Sequence, residues 1–302
     1  MRSSKNAIAL LLTVMFVIVI SVAIGYSLKL INKGGKSVKD EMFMYQTSLM
    51  IEDVMKMLQN SRELQSIADT NNSIADLNAF LTQAAIIPFE AQGINVLIKI
   101  TSARSKFNVN DLNNSRQANY LRQYFNKYMI NGEYVTILFD LINGIKEDNS
   151  YNSAIFEDEE YLYRDALVSY SHLQKVNDFY AREYHDNSLA NINLKDFFYF
   201  SQDKNITYTI DLNYATPEVW EMMLGCSSER AQELSVSGGA YEKMQDLGLQ
   251  DDEKVRLQAF RVGFFEPYLF IDVELQKYGS GATISFEYDI KKKKGSNFVY
   301  KI

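Results

Sequence analysis

Hydrophobic and polar positions change their period several times along this chain, and each change predicts an element. Residues Ala7 to Ile24, AIALLLTVMFVIVISVAI, contain no charge, proline or glycine. An apolar run of about 18 residues is long enough to cross a hydrocarbon core of about 30 Å as a helix. Beyond Lys29 the sequence is polar enough for water. Met42, Tyr45, Leu49, Val54, Met57, Leu58 and Leu64 recur at spacings near three and four, which predicts an amphipathic helix with a core-facing stripe. Gly34-Gly35 predicts a break between span and helix, because mid-helix glycine costs about 1 kcal/mol against alanine. Ser73 stands ready to cap a second helix reaching about Ala85, with Ile74, Leu77, Phe80 and Leu81 on its apolar side.

The period then drops to two. Ile94, Val96, Ile98 and Ile100 alternate with Asn95, Leu97 and Lys99, and Phe107 to Asn113 reads as a short second strand entering a polar turn. From Arg116 to about Phe200 helices dominate, broken at Asn143-Gly144 and Asn187-Ser188. A strand-like Ile206 to Asn213 leads into Thr216-Pro217-Glu218, a helix start with proline at its first position. Gly225 ends that helix, Ser228 to Leu234 begins another, Gly238-Gly239 stops it, and a further helix spans Asp251 to Phe260. The tail alternates again: Leu269, Ile271, Val273 and Leu275; then Ala282, Ile284, Phe286, Tyr288 and Ile290; then Phe298, Tyr300 and Ile302 after a turn from Lys291 to Ser296. Three strands with glycine-containing turns predict an antiparallel meander with one wet face. Its apolar face needs cover, and the amphipathic helix near the amino terminus supplies it. One α/β unit is thus interrupted, between about Asn113 and Phe260, by a mostly helical insertion.

Composition narrows the function. A net charge of −7 argues against a nucleic-acid binder, which carries a basic footprint. One cysteine, Cys226, excludes an internal disulfide framework and any multi-cysteine metal site. Two histidines, His172 and His185, leave little material for histidine catalysis or zinc. The amino terminus has three readings. Ser21-Val22-Ala23 fits a signal-peptidase site, the span also suits a retained anchor, and a short basic leader could be cut just before the apolar run. Charge asymmetry does not fix orientation, because Arg2 and Lys5 precede the span while Lys29, Lys33, Lys36 and Lys39 follow it.

Four stretches resemble the K-type minor pseudopilins of the bacterial type II secretion system. The first is Ala7-Ile8-Ala9-Leu10-Leu11 behind basic residues, similar to the family's glycine, apolar residue, Ala, Leu, Leu. The match implies that prepilin peptidase cuts after Ala7 and leaves Ile8 as the mature terminus, with alanine where the family usually has glycine. Leu12 sits at the fifth mature position, where the K-type lacks the usual pilin glutamate. The second is Ser105 to Asn110, similar to Arg-Phe-Asn-Leu-Asn. The third is Leu138-Phe139-Asp140-Leu141-Ile142-Asn143 with Glu157-Asp158-Glu159-Glu160-Tyr161, which looks like an acidic segment whose second Asp is here Asn143. The fourth, Ile210 to Val219, is similar to Ile-Asn-Val-Asn-Thr-Ala-Pro-Pro-Glu-Val.

The resemblance implies an α+β, type IV pilin-like fold: a long N-terminal helix on an antiparallel sheet, with a large α-helical insertion. The divisions it implies are a leader over 1–7, a transmembrane helix over 8–28, pilin-like helix and first strands over 29–112, helical insertion over 113–205, a helix-hairpin-helix/SAM-like part over 206–262, and C-terminal strands over 263–302. It also implies a single-pass inner-membrane protein with its bulk in the periplasm, at the pseudopilus tip. The partners implied are the I- and J-type minor pseudopilins, the assembly platform and prepilin peptidase.

The acidic loop is the best candidate for chemistry. Glu147, Asp148, Asn149, Asn152, Glu157, Asp158, Glu159 and Glu160 offer the oxygens that calcium takes six to eight of. The EF-hand spacing is absent, and a solvated acidic loop is the simpler reading of spacing alone. Family members bind calcium in their helical domain, so the resemblance implies Ca2+ candidates at Asp140, Glu147, Asp148, Glu157, Asp158 and Glu159. Leu224-Gly225-Cys226-Ser227-Ser228 looks like a helix-hairpin-helix turn. Ser228 replaces its second glycine and the surroundings are acidic, so it reads as structural rather than DNA-gripping. No catalytic group stands out, and the chain reads as a non-enzymatic assembly protein. The alternatives are a membrane-anchored periplasmic sensor or adaptor, a minor pilin of a related type IV filament, or a secreted hydrolase freed at Ala23.

Overall fold

The computed structural model describes residues 16, 20, 36–69, 74–91, 94–112, 114–146, 150–201, 208–277 and 280–301. The predicted span lies outside these residues except for Phe16 and Ile20, which are helical and buried. Ala7, Ile8, Gly34-Gly35 and Ser73 also lie outside them. No helix among the described residues is long and apolar enough to cross a membrane. The chain divides into two compact units, one of residues 1–103 with 267–302, the other of 104–266.

The first unit opens with helices α1 (Lys36–Asn60), α2 (Arg62–Asp69) and α3 (Ile74–Ala84). The sequence pattern predicts one stripe running through to Leu64, but the helix breaks at Ser61. There the Ser61 hydroxyl accepts the Leu64 N–H at 3.2 Å and so caps α2. Strands β1 (Ile86–Ala91) and β2 (Ile94–Ser102) follow. After the second unit the chain returns as β7 (Tyr268–Lys277), β8 (Ser280–Asp289) and β9 (Lys294–Lys301). All five pair antiparallel in the order β1-β2-β7-β8-β9.

Alternation along these strands works as the pattern predicts. Val96, Ile98, Ile271, Val273, Ile284 and Phe286 are buried on one face, while Asp272 and Glu274 alternate with them on β7. On that other face Lys99 pairs with Glu274. The helices cover the apolar face: α3 packs on β2 and α1 on β9. Gln59 Nε2 donates to Lys293 O at 3.1 Å, and Met55 Sδ would stand 2.9 Å from a Cβ at Gly295.

Two features of this unit differ from the pattern. β1 escapes a reading by period because Pro88 sits inside it, as an edge strand permits. The last strand begins at Lys294 and the turn shortens accordingly, and Phe298 and Tyr300 are 39% and 52% exposed. Phe298 stacks on Phe286 at 5.1 Å rather than entering the core.

The second unit is mostly helical. It starts with β3 (Phe107–Asn108), then α4 (Ser115–Lys127), α5 (Glu133–Ile142), α6 (Ile155–Asp158), α7 (Tyr170–Glu183), α8 (Leu194–Phe197) and β4 (Phe198–Tyr199). It closes with β5 (Ile210–Asp211), α9 (Pro217–Leu224), α10 (Ser228–Val236), α11 (Asp251–Leu257) and β6 (Val262–Gly263). The Phe107 strand therefore does not extend the sheet. It is two residues long and pairs parallel with β4 inside this unit, so the insertion begins at Arg104 rather than at 113 and runs to Glu266. Of the expected 206–213 strand, residues 206–207 lie outside the described residues, and within 208–213 only Ile210–Asp211 is a strand, paired parallel with β6. The core is aromatic: Phe107, Tyr124, Phe125, Tyr134, Phe197 and Phe198 lie ring against ring, and Trp220 is fully enclosed. Each such side chain contributes about 1.5–3 kcal/mol of burial.

Candidate functional site

The acidic segment hangs from the end of α5. Asp140, on that helix, is completely buried. Its Oδ1 accepts from Asn152 Nδ2 at 3.0 Å, and its Oδ2 accepts both the Ser153 N–H and the Ser153 hydroxyl at 2.7 Å. A buried carboxylate is costly unless its lone pairs are used, and here three donors of one loop use them. Asp140 thus pins residues 152–153 to α5, and it does not fit a cation ligand while those donors occupy it. Of the other candidates, Asp158 and Glu159 lie 3.7 Å and 3.3 Å from Arg182 NH2 on α7. Glu157 is exposed. Glu147 and Asp148 lie outside the described residues. Among the described residues no three carboxylate, histidine or cysteine groups come together in a way that could hold a metal.

The asparagine motifs turn out to be clasps. Asn110 Nδ2 donates to Leu167 O and Ser201 O, both at 2.9 Å, and its Oδ1 accepts the Leu167 N–H at 2.8 Å. Asn108 Oδ1 accepts the Ser201 N–H at 3.1 Å. Two side chains of one short motif therefore satisfy backbone groups 57 to 93 residues away.

The 210–219 motif is tied back to the start of the unit. Asp211 N donates to Arg104 O at 2.8 Å, and Thr216 N donates to Ser105 O at 3.0 Å. The Asp211 carboxylate accepts from Asn213 N at 2.9 Å and from Glu266 N at 2.8 Å. Burial pushes its pKa up to about 7, against the pull of those two donors. Asn213 is fully used: Oδ1 accepts from Gly239 N and Tyr241 N at 2.9 and 2.8 Å, and Nδ2 donates to Tyr241 O and Phe264 O at 2.9 and 2.7 Å. Thr216 leads α9 with proline at its first turn, as predicted, yet its hydroxyl donates to Asp196 O rather than capping.

The hairpin between α9 and α10 is tied down internally. Gly225 ends α9 at φ +67°, and a Cβ there would meet the Arg256 guanidinium at 2.7 Å. Arg256 is placed to donate to Met222 O and Met223 O, the orphan carbonyls of that helix end, and stacks on Tyr120 at 4.1 Å. Ser227 Oγ accepts the Arg230 N–H at 3.3 Å, filling the start of α10. Arg230 itself donates to Leu247 O and Gly248 O. Buried Glu221 takes Lys127, Tyr128 and Ser228 as partners. These groups are spent on folding, which agrees with a structural turn. Neither Glu221 nor Arg256 stands out in sequence, since only the fold brings them to the hairpin.

Cys226 is half-buried, and burial pushes its thiol up to about 11. It is a protonated thiol at neutral pH rather than a nucleophile. His172 is buried; its Nδ1 accepts the Val168 N–H at 3.4 Å, and burial, with Lys175, lowers its pKa. His185 is exposed. A polar cleft of about 330 Å³ is lined by Asn108, Asp111, Gln117, Tyr208, Phe260 and Arg261 among others. Burial raises the Asp111 carboxyl in it.

No family model and no curated protein matches this chain. Its fold is similar to a chain in the crystal structure of the GspK-GspI-GspJ complex from the enterotoxigenic Escherichia coli type 2 secretion system. The similarity covers 87% of this chain and 98% of that one, at a TM-score of 0.61 and 13% identity. At that identity the likeness is one of fold.

Proposed function

We propose that this chain is a K-like minor pseudopilin, a non-enzymatic subunit that starts or caps a type II secretion pseudopilus. The observation that carries this reading is the interrupted sheet. Two antiparallel strands precede a helical unit of residues 104–266, three follow it, and helices cover one face. That is the layout expected of a pilin-like fold with a large insertion, and the fold likeness covers it nearly end to end. The spent polar groups of the Ser105–Asn110, Asp140 and Ile210–Val219 motifs support a structural role, which suits a subunit whose task is assembly.

In this reading residues 8–28 anchor the chain in the inner membrane, the bulk faces the periplasm, and prepilin peptidase cuts between Ala7 and Ile8. The similar chain was solved in a GspK-GspI-GspJ complex, and I- and J-type subunits with the inner-membrane platform are the partners proposed here. Leu12 at the fifth mature position suits a tip subunit, because an unpaired carboxylate in lipid is costly. Mass spectrometry of the mature amino terminus is the test. N-methylated Ile8 supports the proposal; Met1 indicates a plain anchor, Ile24 a signal-peptidase product, and either outcome ends it.

Calcium belongs to the same proposal, with Glu147, Asp148, Glu157, Asp158 and Glu159 as the residues to supply oxygens and Asp140 holding their loop. The acidic density of residues 147–160 supports it. Calcium should raise the melting temperature of the full chain where magnesium does not, and Glu157→Ala should reduce the gain. A calcium titration with no heat and no thermal shift ends that part.

A further inference from the structure

The tripeptide Ile-Asn-Gly occurs twice, at 130–132 and 142–144, and the two copies flank the single helix α5. We propose that Asn143, and not Asn131, deamidates spontaneously in the folded protein, and that the new charge loosens the loop behind it. The chemistry needs only water. The Gly144 backbone nitrogen, after losing its proton to hydroxide, attacks Asn143 Cγ and closes a five-membered imide. The Cγ–Nδ2 bond breaks and ammonia leaves, carrying a proton from water. Water then adds to one of the two imide carbonyls. Opening at Cγ gives aspartate; opening at the main-chain carbonyl gives isoaspartate, with the backbone rerouted through the side chain. Glycine favours the first step because no Cβ shields its nitrogen.

Identical tripeptides share an intrinsic reactivity, so the fold decides between them. Asn131 is held at three points: its N–H donates to Tyr180 Oη at 2.9 Å, its Oδ1 accepts from Glu133 N at 3.0 Å, and its carbonyl accepts from Tyr134 N at 3.0 Å. Gly132 is already helical, at φ −59° and ψ −18°, and its carbonyl accepts from Val135 N. Closing the imide there would turn bonds that these contacts fix. Asn143 is exposed, and among the described residues its single hydrogen bond runs from its backbone N–H to Phe139 O at 3.1 Å. Its side chain and the Gly144 N–H have no partner among them. Gly144 lies at φ +83°, and the one heavy atom a Cβ would approach is Asp165 Oδ1 at 3.3 Å. Among the described residues no hydrogen bond holds the Asn143 side chain against rotation.

The consequences also have opposite sign. A carboxylate at 143 meets the negative end of the α5 dipole, whereas one at 131 meets the positive end. The charge at 143 therefore works against the loop that Asp140 pins through Asn152 and Ser153.

The test is to incubate the full chain at mildly alkaline pH, digest it, and follow amide-to-acid conversion in the two peptides by mass spectrometry. In native buffer Asn143 should convert at least about tenfold faster than Asn131, while in denaturant the two rates should converge. Equal native rates, a faster Asn131, or no native conversion at Asn143 over a time that converts it in denaturant would each overturn the proposal. Asn143→Asp should lower the melting temperature by about 1–3 °C and Asn131→Asp should not; the reverse order would refute the proposed effect of the charge.

Discussion

In the sheet unit, β2, β7 and β8 bury Ile98, Ile271 and Phe286 by plain alternation, and the backbone ladder does the rest. In the inserted unit, strands are two residues long, helices are short, and distant loops are joined by side chains: Asn110 to Leu167 and Ser201, Asp140 to Asn152 and Ser153, Asn213 to Gly239, Tyr241 and Phe264. The difference is where backbone polar groups find partners. A sheet supplies them periodically. A compact assembly of short helices leaves loop N–H and C=O groups buried, and these must be met singly by asparagine and aspartate.

Substitutions sharpen that contrast. Asn213→Ala leaves three buried backbone groups and the half-buried Phe264 carbonyl without their Asn213 partner and should cost about 4 kcal/mol or more, read as lost amide protection at 239–241 in hydrogen exchange. In the sheet, Ile271→Ala removes only packing and should cost about 3 kcal/mol, read by denaturant melts. A sheet substitution that proves the costlier of the two would break the comparison.

Titration gives a finer probe. His172 has its pKa depressed by burial and Lys175, so the unfolded chain takes up its proton first. Its contribution is intact above the unfolded value of about 6.5 and is lost as pH falls below that. Asp211, raised to about 7, acts with the opposite sign: the folded state holds its proton longer, so stability falls as pH rises from about 4 to 7. His172→Asn should remove the acid-side loss, and Asp211→Asn the opposing slope, in melting temperatures taken across pH. The smallest effect belongs to Arg182→Ala, whose exposed pairs with Asp158 and Glu159 should be worth no more than about 0.5 kcal/mol in a thermal melt.

The same contrast explains what could be read from the sequence. Alternation at 269–275 and 282–290, the 94–100 strand and the helix from Ile74 were legible because their signals are periodic and local. β1 was hidden by Pro88, and the break at Ser61 by an apolar stripe that runs on past it. The Phe107 strand was visible, but not that its partner is Phe198 across the insertion. At the candidate site, Asp140 and the asparagine motifs were picked out by resemblance. Their use as clasps was not readable, because a clasp depends on which distant carbonyl the fold brings near. Arg256 and Glu221 left no trace, for the same reason.

The insertion leaves the sheet after Ala103 and the strand resumes at Tyr268, whose carbonyl accepts the Ala103 N–H at 2.9 Å. Exit and return thus share one doorway on adjacent strands. The entropy of closing such a doorway grows only with the logarithm of the chain hung from it, roughly 0.6 kcal/mol per doubling. The sheet is therefore almost indifferent to the size of its passenger, and evolution could enlarge, trim or exchange that cargo while leaving the frame that carries it alone.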